Sequence, residues 1–207
     1  MYELINRHIE PILESISERH ISDYEWIIEN KNNIDSHFKK KYKSFWQLNA
    51  ALLSDEFCDE YFLELYNLIE RGTFDLRDLA KKFYTIPSNT KGANKLQFSF
   101  CTKLCHVVNP CLPIYDAMVK DFYFFKEPNS RVELYLRIEL FMDFYEFLIR
   151  EYDRIIHNKL LDASIWAFFE RFGAQKFTTQ KVIDSLIWAF ISFAKSGKIV
   201  SGDIIYH

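Results

Sequence analysis

The residues best suited to chemistry lie in one segment, LQFSFCTKLCHVVNPCLPIYDAMV, at positions 96–119. On a helix, Ser99, Lys103 and His106 stand at i, i+4 and i+7 and therefore form one stripe. Because most of their neighbours are apolar, we expect this helix to be buried on most sides. Burial lowers the pKa of a lysine and makes its amine a better nucleophile. The alternative is that Lys103 extends to the surface and its stem covers apolar neighbours.

Asp116 is the second candidate for chemistry, since it opens the helix that follows Pro113. Its plainest role is to cap that helix by accepting backbone N–H bonds. The link from the Lys103 helix is short. At a rise of about 1.5 Å per residue, Lys103 lies roughly 8 Å along the helix axis before the turn. We therefore expect Lys103 and Asp116 to share the mouth of one cleft. The carboxylate would orient or deprotonate the amine, while its charge would raise the pKa of the lysine.

Two further patterns in this segment are weaker. Cys101, Cys105, His106 and Cys111 include possible zinc ligands, but His106 points about 100° away from Cys105 on a helix, which suits a tetrahedral site poorly. We interpret the cysteines as buried free thiols and expect no metal and no other cofactor. A small-molecule or toxin-type enzyme using Ser99, Lys103 and His106 is a further hypothesis, with no known motif behind it.

A basic run at positions 37–46, HFKKKYKSFW, is the candidate nucleic-acid contact. Lys39, Lys40, Lys41 and Lys43 alternate with aromatic residues, a pattern that suits phosphate contacts and base stacking. The alternative is an ordinary solvated face. DNA is the partner that this run suggests, and the sequence leaves protein partners open.

Composition predicts the fold class. The chain has 207 residues, of which 17% are aromatic, and only five glycines and five prolines. This scarcity of turn residues favours an all-α single domain, 1–207, of about nine to ten helices. A division into an N-terminal subdomain, 1–87, and a core, 88–207, is the alternative. The net charge of −3 gives no global attraction to nucleic acid.

The sequence also predicts location and several helix ends. It has neither a secretory leader nor an apolar stretch of about 18 residues, so we expect a soluble, cytoplasmic protein without a membrane span. Ser22 with Glu25 predicts a capping box, and Gly72 predicts a helix end. Further N-caps are predicted at Ser44, Ser54, Asp75 and Ser130. The first helix is expected over positions 2–16, with a kink at Pro11, and the tail over 198–206 is expected to be extended.

Two late helices carry similar sequences. LDASIWAF at 161–168 aligns with IDSLIWAF at 183–190, and the aspartate, isoleucine, tryptophan, alanine and phenylalanine coincide. Two amphipathic helices that pack in the same way explain this similarity better than an internal duplication does, because repeat architectures need about three or more units.

A family resemblance rests on Ser99-Phe100-Cys101-Thr102-Lys103, His106, Asn109-Pro110, Pro113-Ile114-Tyr115-Asp116 and Val119. This pattern resembles one shared by uncharacterised bacterial proteins described as having the fold of 8-oxoguanine DNA glycosylase. It is also similar to the helix-hairpin-helix DNA glycosylases, and that resemblance implies that Lys103 is a Schiff-base lysine attacking the sugar C1′ and that Asp116 assists it. The chain departs from the family in lacking a glycine-rich hairpin before the lysine and in a shorter lysine–aspartate interval.

These observations lead to two functional expectations. The first is a helical protein with a glycosylase-like fold and no assigned activity. It either binds nucleic acid or is a non-enzymatic module that binds none and in which Lys103 and Asp116 are a structural pair. The alternative is a DNA glycosylase or lyase-type enzyme that uses Lys103 and Asp116. The acidic net charge and the missing glycine hairpin favour the first.

Overall fold

The protein is an all-α single domain. The computed structural model describes residues 1–88, Gly92 and 94–197, and every regular element in these ranges is an α-helix. The eleven described helices are α1 Tyr2–Arg7, α2 Ile9–Glu14, α3 Glu18–Asn30, α4 Ser36–Phe45, α5 Asp55–Arg71, α6 Leu76–Tyr84, α7 Phe98–Val108, α8 Ala117–Phe122, α9 Leu134–His157, α10 Asp162–Phe172 and α11 Thr179–Lys195. The predicted extended tail at 198–206 lies outside the described residues.

The first predicted helix is two helices. The chain breaks at His8, which ends α1 and precedes α2 with φ −109° and ψ 26°. Pro11 therefore does not kink a longer helix. It lies in the first turn of α2, where a missing backbone N–H costs no intrahelical hydrogen bond.

Several of the predicted caps are confirmed. Ser54 and Asp75 accept backbone N–H bonds at the starts of α5 and α6, and Gly72 ends α5 with φ 68°. The capping box at Ser22 is wrong, because α3 starts earlier and Ser17 caps it by accepting from the backbone N–H of His20. Ser22 lies inside α3, where its hydroxyl donates to the carbonyl of Arg19. The caps predicted at Ser44 and Ser130 are also wrong, because Ser44 lies in the last turn of α4 and α9 starts only at Leu134.

One hydrophobic core takes side chains from all eleven helices. The helix α7 is buried over most of its length and packs against α5 and α6, while α11 packs against α8, α2 and α10. Both α7 and α11 nevertheless carry charged residues, and these residues line the candidate site. The predicted division at residue 87 stays a prediction.

Candidate functional site

A cavity of about 560 Å³ lies where α3, the end of α4, α7, the start of α8 and α11 meet. Four aromatic residues form part of its wall: Phe45, Trp46, Phe100 and Trp188. Four charged side chains also line it: Lys103, Asp116, Lys181 and Asp184. Ligand pockets in proteins typically have volumes of about 300–1,000 Å³, so the cavity has room for a small organic molecule or a nucleotide.

Lys103 projects from α7 into this cavity and is half-buried. Its Nζ donates to the backbone carbonyl of Trp46 at 3.3 Å and lies 4.8 Å from the ring centroid of Phe100. Burial lowers the pKa of Lys103, and the charge of Lys181 adds to this, whereas the carboxylates of Asp116 and Asp184 oppose it. The balance favours the neutral amine more than in an exposed lysine, as a nucleophile requires.

Asp116 lines the same cavity and caps α8 as the sequence predicts. Its Oδ1 accepts from the backbone N–H groups of Met118 and Val119, at 2.9 Å each. Within the described part of the chain, no group donates a hydrogen bond to its Oδ2. One oxygen therefore holds the carboxylate in place while the other is left for a ligand or water.

Thr102 fixes the distance between the two candidates. Its hydroxyl accepts from the backbone N–H of Tyr115 at 3.1 Å and donates to the carbonyl of Ser99 at 2.9 Å. The hydroxyl of Tyr145 donates to the carbonyl of Pro113 at 3.0 Å. These bonds tie the link before Asp116 to α7 beside Lys103, so the two side chains are positioned by buried backbone contacts.

The predicted stripe divides in the structure. Ser99 lines the cavity with Lys103, but His106 does not. His106 is fully buried, and its Nδ1 lies 2.7 Å from the carbonyl of Leu112 while Nε2 lies 2.8 Å from the hydroxyl of Tyr24. Because a carbonyl only accepts, Nδ1 carries the proton and Nε2 accepts from Tyr24. Burial lowers the pKa of His106 to about 3, so this imidazole is a neutral structural group.

Sequence reasoning missed Lys181 and Asp184 on α11. Lys181 Nζ lies 2.8 Å from Asp184 Oδ2, and the two residues are only 3% and 5% exposed. The sequence nevertheless marks these two residues, because a lysine and an aspartate at i and i+3 interrupt an otherwise apolar helix. A charged pair on such a helix is buried together or faces a cavity, and here it does both.

The similar helix α10 shows why this signal is easily overlooked. In α10 the matching aspartate and tryptophan, Asp162 and Trp166, are exposed, whereas Asp184 and Trp188 of α11 line the cavity. The two copies of the motif thus occupy opposite environments. Tertiary packing decides which copy contributes to the site.

Three buried polar atoms of cavity-lining residues have no hydrogen-bond partner among the described residues: Trp46 Nε1, Asp184 Oδ1 and Ser185 Oγ. Leaving such a group unpaired typically costs about 1–3 kcal/mol. They are one carboxylate acceptor, one donor and one hydroxyl that can do both, and all three are closed off from solvent.

The turn after α4 positions Trp46. Gln47 adopts the left-handed conformation with φ 57°, its N–H donates to the carbonyl of Ser44 at 3.3 Å, and the N–H of Leu48 donates to the carbonyl of Lys43 at 3.0 Å. This is a Schellman helix end with glutamine at the position that glycine usually occupies. This turn places Trp46 where it lines the cavity.

His20 adds another ring to the cavity wall. It stacks on Phe45 with ring centroids 4.7 Å apart and lies parallel to Trp188 at 6.1 Å. Burial lowers the pKa of His20 to about 4, and the charge of Lys181 adds to this. The imidazole is therefore neutral at physiological pH and acts as a flat apolar surface.

The basic run divides between two sides of α4. Lys41 pairs with Asp23 at 2.8 Å, while the ammonium groups of Lys39 and Lys43 lie 5.5 and 5.9 Å from the ring centroid of Phe62. Lys40 is exposed. None of the four lines the cavity, so any nucleic-acid contact they make lies outside it.

The cysteines do not assemble into a site. Cys58, Cys101 and Cys105 are buried free thiols and Cys111 is exposed. In residues 1–88, 92 and 94–197, no group of three or more His, Cys, Asp or Glu side chains is arranged to hold a metal ion.

Comparison with family models, curated proteins and solved structures finds no match to this chain. The glycosylase resemblance therefore depends on the sequence motif alone. In the described part of the chain, no helix is both long enough and apolar enough to cross a membrane.

Proposed function

We propose that the protein is a nucleic-acid-acting enzyme of the DNA glycosylase or lyase type, with Lys103 as its nucleophile. The observation that carries this proposal is that Lys103, whose pKa burial lowers, shares one aromatic-walled cavity with Asp116. An amine nucleophile needs a neutral nitrogen, a nearby carboxylate and protection from bulk water. Burial shifts this amine toward its neutral form, Asp116 lines the same cavity, and Lys103 is half-buried.

The reaction that fits is imine formation at a sugar aldehyde. At an abasic site the neutral amine of Lys103 adds to C1′, the carbonyl oxygen leaves as water, and a C1′=N bond forms. Loss of a C2′ proton to a base then breaks the C3′–O bond, and the phosphate leaves with its electron pair. Water hydrolyses the imine and restores the amine.

Asp116 suits the role of the assisting carboxylate. Its Oδ1 is held by two backbone N–H groups, which keeps the side chain fixed. Its Oδ2 can accept the proton that the amine or C2′ gives up. Because Asp116 also raises the pKa of Lys103, its charge favours protonation of the amine between cycles.

The cavity walls suit a flat base. Phe45, Trp46, Phe100 and Trp188 provide ring faces for stacking, which contributes about 1–3 kcal/mol per base in proteins that bind single strands. The polar side chains of Ser99 and Asp116 line the same cavity and provide hydrogen-bonding groups for the edge of the base. A nucleotide taken out of its stack would find both kinds of contact here.

The test is borohydride trapping on a labelled oligonucleotide that contains one abasic site. Borohydride reduces the imine, so the wild-type protein should form a covalent complex and Lys103→Ala should not. Lys31→Ala is the matched control, because Lys31 is also a lysine whose pKa burial lowers, but its Nζ bonds the carbonyl of Val107 and it lies outside the cavity. Trapping that persists in Lys103→Ala, or that is absent from wild type, would overturn the proposal.

The second candidate function is nucleic-acid binding without catalysis. It is favoured by the structural bonds that both residues make, Lys103 to the carbonyl of Trp46 and Asp116 to the first turn of α8. On this hypothesis wild type and Lys103→Ala bind an oligonucleotide equally well, with affinity that falls as salt rises, and neither is trapped.

A further inference from the structure

A second ammonium group lies beside Lys103. Lys181 Nζ is 5.5 Å from the ring centroid of Trp46, and Lys103 Nζ is 5.9 Å from the same centroid. Lys181 reaches this position from α11 and Lys103 from α7, and both line the cavity. Two lysines brought to one indole ring from different helices are an unusual arrangement, because like charges repel in a buried site.

Stability does not account for the pair that Lys181 forms with Asp184. Both residues are almost fully buried, and a buried ion pair often contributes less than apolar residues of the same volume. The pair is also incompletely satisfied, because Asp184 Oδ1 has no partner among the described residues. The effect of these charges on the groups around them is therefore the feature to test.

The charges that face Lys103 come from two elements besides α7. Asp116 stands at the start of α8, and Asp184 and Lys181 stand on α11. His20 of α3 lines the same cavity and is neutral. Of these groups, the α11 pair is the one that no backbone cap explains, whereas Asp116 has its own structural role in α8.

We propose that Lys181 and Asp184 are positioning residues for Lys103, which hold one positive and one negative charge beside its amine and so set the fraction of that amine that is neutral. The inference rests on the proposed function in that Lys103 is the nucleophile. It adds residues that the glycosylase motif does not contain. It also makes a prediction about Lys103 that can be measured without any nucleic acid.

The two charges act in opposite directions. Removing the cation, in Lys181→Met, should leave less neutral amine at a given pH and move the titration of Lys103 to higher pH. Removing the anion, in Asp184→Asn, should move it to lower pH. Each change should alter the reactivity of Lys103 about threefold to tenfold at fixed pH. Loss of local structure alone would move both variants in the same direction.

The measurement is reductive amination with acetaldehyde and cyanoborohydride between about pH 8 and 11, a range in which carboxylates are ordinarily ionised. The amine forms a C–N bond as the carbonyl oxygen leaves as water, and hydride from cyanoborohydride reduces the C=N bond. Peptide mass spectrometry quantifies the adduct on Lys103. The adduct on Lys31 in the same sample is the internal control, and its pH dependence should not change.

We expect the pH dependence of Lys103 labelling to shift in opposite directions in Lys181→Met and Asp184→Asn. In Lys181→Arg it should match wild type. Shifts in the same direction, or none, overturn the inference. If Lys181→Met does not fold, Asp184→Asn alone tests the proposal, because an unchanged pH dependence of Lys103 labelling in that variant contradicts it. Aldehyde labelling that behaves as expected without trapping on abasic DNA would reject the proposed function and leave this inference standing.

Discussion

Lys103 and Lys181 place their ammonium groups over one indole ring, that of Trp46, at 5.9 and 5.5 Å from its centroid. The ring is positioned by the Schellman turn at Gln47, and its Nε1 is buried without a partner in the described part of the chain. The indole face offsets part of the cost of bringing two cations into a buried site. Trp46 therefore links Lys103 to the ion pair beside it.

Asp116 has a structural and a chemical role that two substitutions can separate. Asp116→Ala removes the cap of α8 and should lower the free energy of unfolding by about 0.5–2 kcal/mol, while Asp116→Asn keeps a capping oxygen and most of the stability. Both variants lose the carboxylate and should lose borohydride trapping. Urea unfolding and trapping are measured in parallel, and normal trapping in Asp116→Asn would remove Asp116 from the mechanism.

Two buried serines should respond in opposite ways to alanine. Ser185 Oγ has no partner in the described residues, so Ser185→Ala should leave the stability of the free protein unchanged or raise it. Ser164 Oγ donates to Asn6 Oδ1 at 2.5 Å, so Ser164→Ala should cost about 1–3 kcal/mol. Chemical denaturation measures both. Equal losses in the two variants would show that Ser185 Oγ has a hydrogen-bond partner in solution.

Acid should destabilise the protein through His106. Burial lowers its pKa to about 3 in the folded state, whereas an unfolded histidine titrates near about 6.5. Between these values the unfolded chain binds more protons, so this contribution to stability is complete above about pH 6.5 and is lost as pH falls toward 3. His106→Gln should flatten the dependence of unfolding free energy on pH between 7 and 4, measured by urea unfolding.

The control for this experiment is Ser164→Ala, which removes a buried hydrogen bond and no titrating group. It should lower the stability curve at every pH without flattening it. If His106→Gln keeps the wild-type dependence of unfolding free energy on pH, the imidazole of His106 is protonated in the folded protein.

Lys40 and Lys41 should differ in any binding to nucleic acid. Lys40 is exposed, whereas Lys41 is held by Asp23 and lies over the ring of Trp26. Lys40→Ala should weaken oligonucleotide binding and reduce the slope of log affinity against log salt by about one, as for the loss of one phosphate contact. Lys41→Ala should change both the binding and this slope less. If neither variant alters binding, the basic run is an ordinary surface.

The all-helical class and several helix ends were predictable because they depend on local chemistry. Ser54, Asp75 and Asp116 cap helices by bonds to residues two or three positions away, which a sequence displays directly. The N-cap at Ser17 was missed because Ser22, five residues later, offered an equally good local pattern. The break at His8 was missed because the apolar pattern of positions 2–16 continues through it. Competing local signals of similar strength are decided by tertiary packing.

Only the part of the site that lies in positions 96–119 was predictable from the sequence. Lys103 and Asp116 lie 13 positions apart, and the short link between their helices brought them to one cavity as expected. Lys181, Asp184 and Trp46 come from distant parts of the chain, and nothing local states that they meet. His106 shows the converse, because its place on the stripe suggested the cavity, but Tyr24 of α3 covers it.

The central claim is that the amine of Lys103 is the nucleophile. Its most direct test is to trap wild-type protein on abasic DNA with borohydride, digest the complex and locate the modified lysine by mass spectrometry. Our account predicts the sugar adduct on the peptide that contains Lys103. An adduct on Lys181, Lys31 or a lysine of the basic run, with Lys103 unmodified, would contradict it.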